Sequence, residues 1–493
     1  PFHLARNDPL RLACIVGRFQ ATSGNIPPML DEQHQPVPDT RAPLVARILT
    51  EWRTLALLGG PILVAQLAQM ANGVIDTVMA GHASAEDLAA VGIGSAIWMP
   101  VFLFFMGVLG ALQPIISGYN GSGETRRIMP ATWQGLYIGA ASAALMILLL
   151  VNMQPLFSLM NLDAHTTGIA VGYLDAFAWG VPFMLLMVAL RGLTDGLGHT
   201  RVIMVFSVLG TLINLPLNWA LIYGKFGLPE LGGVGCGWAT AISNVVAAFA
   251  MVAYLNRSPV YRQFHLIADW AKPDPENLRY ILRIGLPIGF TIFVEASMFC
   301  VIALFLAPLG PVVVAGHQIA LNVTSLTFMV PLSIGLALTL RIAFLVGAGT
   351  PGTAHVLSRS SLILAGVTAV LFASSLFVFA GAIARLYTSD PEVQRVTTVL
   401  LKFAAAFQLV DVIQVTCISA LRGYKDTRIP MFIMLFSFWG LGLPLGYVLT
   451  FTDLLVSAMG APGFWVGITA GLASAALLLG WRLFLYTRPI DKR

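Results

Sequence analysis

Long apolar runs separated by short polar stretches recur along the whole chain. Twelve of them, at about 54-80, 88-117, 129-152, 168-190, 201-222, 234-255, 279-306, 312-346, 355-381, 396-421, 428-450 and 462-486, reach the roughly 20 residues a helix needs to cross the hydrocarbon core. A membrane barrel would alternate residue by residue, and these runs do not. The pattern predicts an all-α polytopic membrane protein with twelve transmembrane helices, because lipid offers no partners to unpaired backbone groups.

The runs also repeat. "ALRGLTD" (189-195) returns as "ALRGYKD" (420-426), "LPLNWALIYG" (215-224) is answered by "LPLGYVLTF" (443-451), and "LGGPI" (58-62) by "IGLPI" (284-288). These pairs fall on spans 4 and 10, 5 and 11, and 1 and 7, which start on the same side of the membrane. The expectation is therefore two six-helix lobes related by a parallel pseudo-two-fold repeat, with the axis along the membrane normal. The predicted division is an N-terminal extension over 1-45, disordered or a mis-called start, an N-lobe over 46-255, a polar linker over 256-278, a C-lobe over 279-486 and a tail over 487-493.

Composition agrees with a membrane protein. The 493 residues are 57% apolar and 10% charged, far below the roughly one quarter charged of soluble domains. The net charge of +5 sits mostly in short loops, so it reads as topology rather than as affinity for nucleic acid. Of 28 Lys and Arg, 24 fall on the side of both termini, against Lys225, Arg385 and Arg395 on the other side and Lys402 within a span. The positive-inside rule then puts both termini in the cytoplasm. Cys14, Cys236, Cys300 and Cys417 are far apart, form no CxxC and suggest reduced packing residues without a metal site.

Against this background, a few acids are conspicuous. Glu295, in "FVEASMF", is the single formal charge between Arg283 and Arg341. Twelve residues past Arg283, it should lie roughly 18 Å into the bilayer. Asp411, in "FQLVDVIQV", lies eleven residues before Arg422, roughly 16 Å from the same face. Both belong to the C-terminal half, and no basic residue in the apolar stretches is placed to neutralise them. Two carboxylates at one depth could share a proton or hold a cation such as Na⁺; the plainer reading is a pair of protonated acids bonded to backbone.

In the N-terminal half, Asp76 is the lone acid between Arg53 and Glu86. Asn214 and Asn218 flank Pro216 and share one helix face. They suggest a polar pocket with Asp76, or amides gluing helices together. Lys402, His317, Gln318 and Asp175 read as snorkelling, core or interface residues, and the Arg and Asp of both ALRG copies as caps and ion pairs at helix ends.

No GxxxxGK[ST], HExxH or GxSxG occurs, which argues against P-loop ATP hydrolysis and the common membrane hydrolases. An ion gradient is the remaining energy source. "GVIDTVMAGH", "INLPLNWALIYGKFGLPELGGVGCGWATAI", "VEASMFCVIALFLAPLG" and "DVIQVTCISALRGYKDTRIPM" resemble the NorM branch of the MATE multidrug and toxic compound extrusion transporters, a similarity that runs from about 50 to 486.

That resemblance implies a non-enzymatic, cofactor-free antiporter of a bacterial inner membrane. It would export cationic or amphipathic drugs and dyes in exchange for H⁺ or Na⁺ by alternating access, as a monomer among membrane lipids. It also implies that the cation site falls on Glu295 and Asp411, and an N-lobe proton or substrate site on Asp76 with Asn214 and Asn218. Phe407, one turn before Asp411, offers no oxygen to a metal ion and leans the coupling ion toward H⁺. A lipid or oligosaccharide flippase of the wider superfamily is the runner-up, disfavoured because the spans carry acids rather than bases. A membrane-embedded enzyme is a more distant alternative that lacks a nucleophile or metal constellation.

Overall fold

The computed structural model describes residues 43–487 apart from 160–162, 262, 265, 267 and 268. Except for residues 43–45 and 487, the extension and the tail expected from the sequence lie outside the described residues. Among the described residues, twelve helices are long and apolar enough to span a membrane. They are α1 (Leu44–Ala83), α2 (Ala85–Ser122), α3 (Thr125–Val151), α4 (Ala164–Gly196), α5 (Thr200–Ile222), α6 (Gly233–Arg257), α7 (Pro275–Leu309), α8 (Pro311–Gly347), α9 (Pro351–Tyr387), α10 (Pro391–Gly423), α11 (Arg428–Phe451) and α12 (Ala461–Tyr486). Each matches one of the predicted runs.

Local chemistry explains where many of them begin. Helices α7 to α10 open on Pro275, Pro311, Pro351 and Pro391, where the missing N–H has no helical partner to lose and the fixed φ suits a first turn. Asp274 and Asp390 cap α7 and α10, accepting the Glu276 and Glu392 N–H groups at 3.0 and 2.8 Å. One residue, Ser84, separates α1 from α2, and its hydroxyl accepts the Asp87 N–H at 2.9 Å. Two helices depart from regularity: α2 tightens into a turn at Gly110 and Ala111, and α11 widens into a π-helical segment over Phe436–Gly442.

The helices pack around two apolar cores, and the cores do not respect the boundary between the halves of the sequence. Leu55, Leu58 and Ile62 of α1 are buried in the core otherwise built by α7 to α12. Ile281, Ile284 and Ile288 of α7 are buried in the core otherwise built by α1 to α6 and the linker. These segments contain the repeated "LGGPI" and "IGLPI". Each half therefore inserts the start of its first helix into the other half, α1 against α8 and α7 against α2. The backbones approach closely there: a Cβ on Gly285 would overlap the Val108 carbonyl, and one on Gly347 the Gly118 carbonyl.

Side-chain bonds add to this seam at the membrane face that carries the linker. Arg341 of α8 is fully buried and grips Glu51 of α1 with Nε–Oε2 at 2.7 Å and Nη2–Oε1 at 2.8 Å. Ser117 of α2 donates to the Leu340 carbonyl at 2.7 Å, and Arg47 donates to Thr353 at 2.7 Å. These bonds tie the lobes together at the linker face.

The linker is held against the N-lobe. Trp133 and Tyr137 of α3 donate to the carbonyls of Leu266 and Ala271 at 3.1 and 2.8 Å. Gln134 bonds both the Lys272 carbonyl and the Asp274 N–H at 3.0 Å.

Candidate functional site

Asp76, Asn214 and Asn218 come together. Asp76 projects from α1 toward α5, where Asn218 Nδ2 donates to its Oδ1 at 2.7 Å and to Asn214 Oδ1 at 2.8 Å. Both asparagines are fully buried and Asp76 is 8% exposed. The four-residue spacing that put the two amides on one helix face also lets one amide hold the other in place.

A fourth member was not anticipated. Thr240 of α6 donates to Asp76 Oδ2 at 3.2 Å and accepts from Asn214 Nδ2 at 3.2 Å. The ring of bonds ties α1, α5 and α6 at one point. In the sequence, Thr240 looked like any threonine in an apolar helix; only its neighbours in space reveal it.

In the C-lobe, Glu295 of α7 and Asp411 of α10 make no hydrogen bond to each other among the described residues. Asp411 is 2% exposed, and its Oδ2 has no described hydrogen-bond partner. Gln408, one turn earlier on the same face of α10, is equally buried and leaves its Nε2 unpartnered while its Oε1 accepts from Thr327 at 3.2 Å. Glu295 is only partly buried, so one acid of the pair is open to the space beside α7 and the other is enclosed.

The ring of Phe407, one turn before Asp411 on α10, stands edge-on to Phe299 and Trp465, at centroid distances of 6.3 and 5.8 Å.

Arg422, at the linker-face end of α10, is half-buried. The two ALRG copies have diverged in use. Arg191 pairs with Asp195 at 2.9 Å, buried, whereas Asp426 turns to Arg482 at 2.8 Å.

Of the remaining polar residues, His317 is a core residue, buried beside Trp465, and the Lys402 ammonium lies 5.7 Å over the Phe377 ring; Gln318 and Asp175, expected in core or interface contacts, are exposed. Among the described residues, no group of three or more His, Cys, Asp and Glu is arranged to hold a metal ion.

Comparison with known proteins places this architecture. A family model described as MatE matches residues 61–220 and 287–448, one copy on each half of the repeat. A protein of Idiomarina loihiensis named "Probable multidrug resistance protein NorM" is 42% identical over 443 residues, covering 90% of this chain and 96% of its own. A protein of the same name from Shewanella oneidensis is 42% identical over 431 residues, covering 87% and 94%. The crystal structure of the eukaryotic MATE transporter AtDTX14 superposes with a TM-score of 0.80 at 21% identity, covering 89% of this chain and 96% of that one. With two family matches on two structural halves and relatives spanning most of its length, the chain belongs to the MatE, or MATE, family of membrane transporters.

Proposed function

We propose that the chain, a multidrug efflux transporter by its family and not an enzyme, is a cation-coupled antiporter in which Glu295 and Asp411 take up the coupling ion. The observation that carries this reading is the two carboxylates themselves, on helices of the same lobe: Asp411 enclosed with an oxygen that has no described hydrogen-bond partner, Glu295 partly open. Acids so placed inside a membrane protein commonly belong to ion or proton pathways.

The coupling ion in this reading is H⁺. Phe407, one turn before Asp411 on α10, offers no oxygen to a metal ion, and hard cations are held by oxygen ligands. Asp76 with Asn214, Asn218 and Thr240 forms the N-lobe counterpart, a carboxylate held by a hydroxyl and an amide, where drug or a second proton is taken up. Cargo is cationic or amphipathic, drawn by these acids.

Efflux follows if ion uptake at the C-lobe pair shifts the population of states. The arrangement with the linker face sealed gives access from the opposite face, where drug is released; reopening at the linker face admits the next. The basic residues support a cytoplasmic linker face and an inner-membrane location for a bacterial chain. Dye transport by the purified protein in liposomes, with H⁺ and Na⁺ gradients imposed separately, tests this directly. Transport driven by the H⁺ gradient alone is expected; transport driven only by Na⁺ would overturn the proton assignment.

A further inference from the structure

A groove of about 320 Å³ opens on the side of the protein between α2, α7 and α11, with Phe104, Arg283, Leu286, Phe290, Arg428 and Met431 in its lining. Its polarity is graded along the membrane normal. On α7, Arg283 is followed on the same helix face by Leu286 and Phe290, one and two turns deeper. On α11, Arg428 is the first residue and Met431 lies one turn deeper. Arg283, Leu286, Phe290 and Arg428 are all exposed. Two helices thus present the same order, a cation at the linker-face boundary and apolar surface beneath it.

Neither arginine is neutralised. Among the described residues, Arg283 and Arg428 make no ion pair, and Asp426, the nearest acid to Arg428 in the chain, is committed to Arg482. Two like charges on one groove repel each other and any cationic cargo. An anion would satisfy both.

We infer that this groove binds an anionic phospholipid from the leaflet on the linker side, its phosphate between Arg283 and Arg428 and an acyl chain along Leu286, Phe290, Met431 and Phe104. Basic pockets between membrane helices are suited to phospholipid headgroups, and the graded wall matches a headgroup with its chain beneath it. Phe104 belongs to α2 of the N-lobe, whereas the other lining residues belong to the C-lobe. A lipid seated there bridges the lobes and favours the arrangement in which α2 packs on α7.

Native mass spectrometry of the purified full-length protein, titrated with dioleoylphosphatidylglycerol or dioleoylphosphatidylcholine, tests the assignment. The wild-type protein should retain phosphatidylglycerol in preference to phosphatidylcholine. Arg283→Gln/Arg428→Gln should weaken phosphatidylglycerol binding about 25-fold, each charge near an anionic headgroup being worth a factor of about five. The charge-matched control Arg126→Gln/Arg257→Gln should not. Met431→Trp, which fills the groove and leaves both charges, should also weaken it. The assignment fails if the double variant binds phosphatidylglycerol as the wild type does, if the two lipids bind equally, or if inorganic phosphate displaces the lipid as a soluble anion would.

Discussion

Arg341 of α8 and Glu51 of α1 stand 290 positions apart in sequence and form a two-pronged ion pair at 2.7 and 2.8 Å, with the arginine fully buried. The pair joins the lobes at the linker face, beside the segments where each half inserts its first helix into the other. It must break, or be carried as a unit, whenever that face opens.

Removing one partner strands the other charge. Glu51→Gln should destabilise the sealed arrangement by about 3–5 kcal/mol, while the apolar pair Glu51→Leu/Arg341→Met should recover most of the loss. Thermal unfolding reads the stability. Spin-label distances between Thr125→Cys and Gly352→Cys, both exposed at the linker face, should broaden in Glu51→Gln and narrow again in the apolar pair. Unchanged distances in Glu51→Gln would show that the pair does not hold the face shut.

The N-lobe ring should behave as one unit. Asn218→Ala removes the 2.7 Å donor from Asp76 and Thr240→Val the 3.2 Å donor, each at roughly 1–3 kcal/mol for a buried acceptor left short. In a double-mutant cycle the two losses should not add, and Asn218→Ala should cost much less when Asp76 is already Asn. Full additivity would mean that the asparagines act as independent helix glue.

Two glycines separate packing from conformational freedom. Gly285 faces the Val108 carbonyl with no room for a Cβ, whereas Gly60 has nothing within 4 Å of one. Gly285→Ala should impair α2–α7 packing and dye efflux while the protein still reaches the membrane. Gly60→Ala should leave efflux unchanged and stabilise its helix by about 0.5–1 kcal/mol. Efflux assays normalised to expression distinguish them.

The twelve spans, the internal repeat and the Asp76–Asn214–Asn218 group were legible because they are written in local pattern: apolar run length, recurring heptapeptides, and two amides at a helical spacing. What stayed hidden depends on pairing across distance. Arg341 counts in the sequence only as one of the basic residues that set topology, and Glu51 carries no signal of its own, since nothing local says that they meet. Thr240 is one hydroxyl among many that bond their own helix. The crossing of "LGGPI" and "IGLPI" into opposite cores follows the repeat, but repetition alone does not say which lobe each copy packs into.

The central claim is that Glu295 and Asp411 carry the coupling ion. Purified Glu295→Gln, Asp411→Asn and the double variant, reconstituted beside the wild-type protein, should each retain dye binding within a few-fold yet lose H⁺-driven dye transport by at least about tenfold. The double variant should be no worse than the more severe single one, as expected for residues acting as a unit. H⁺-driven transport at the wild-type rate in the double variant would contradict the account.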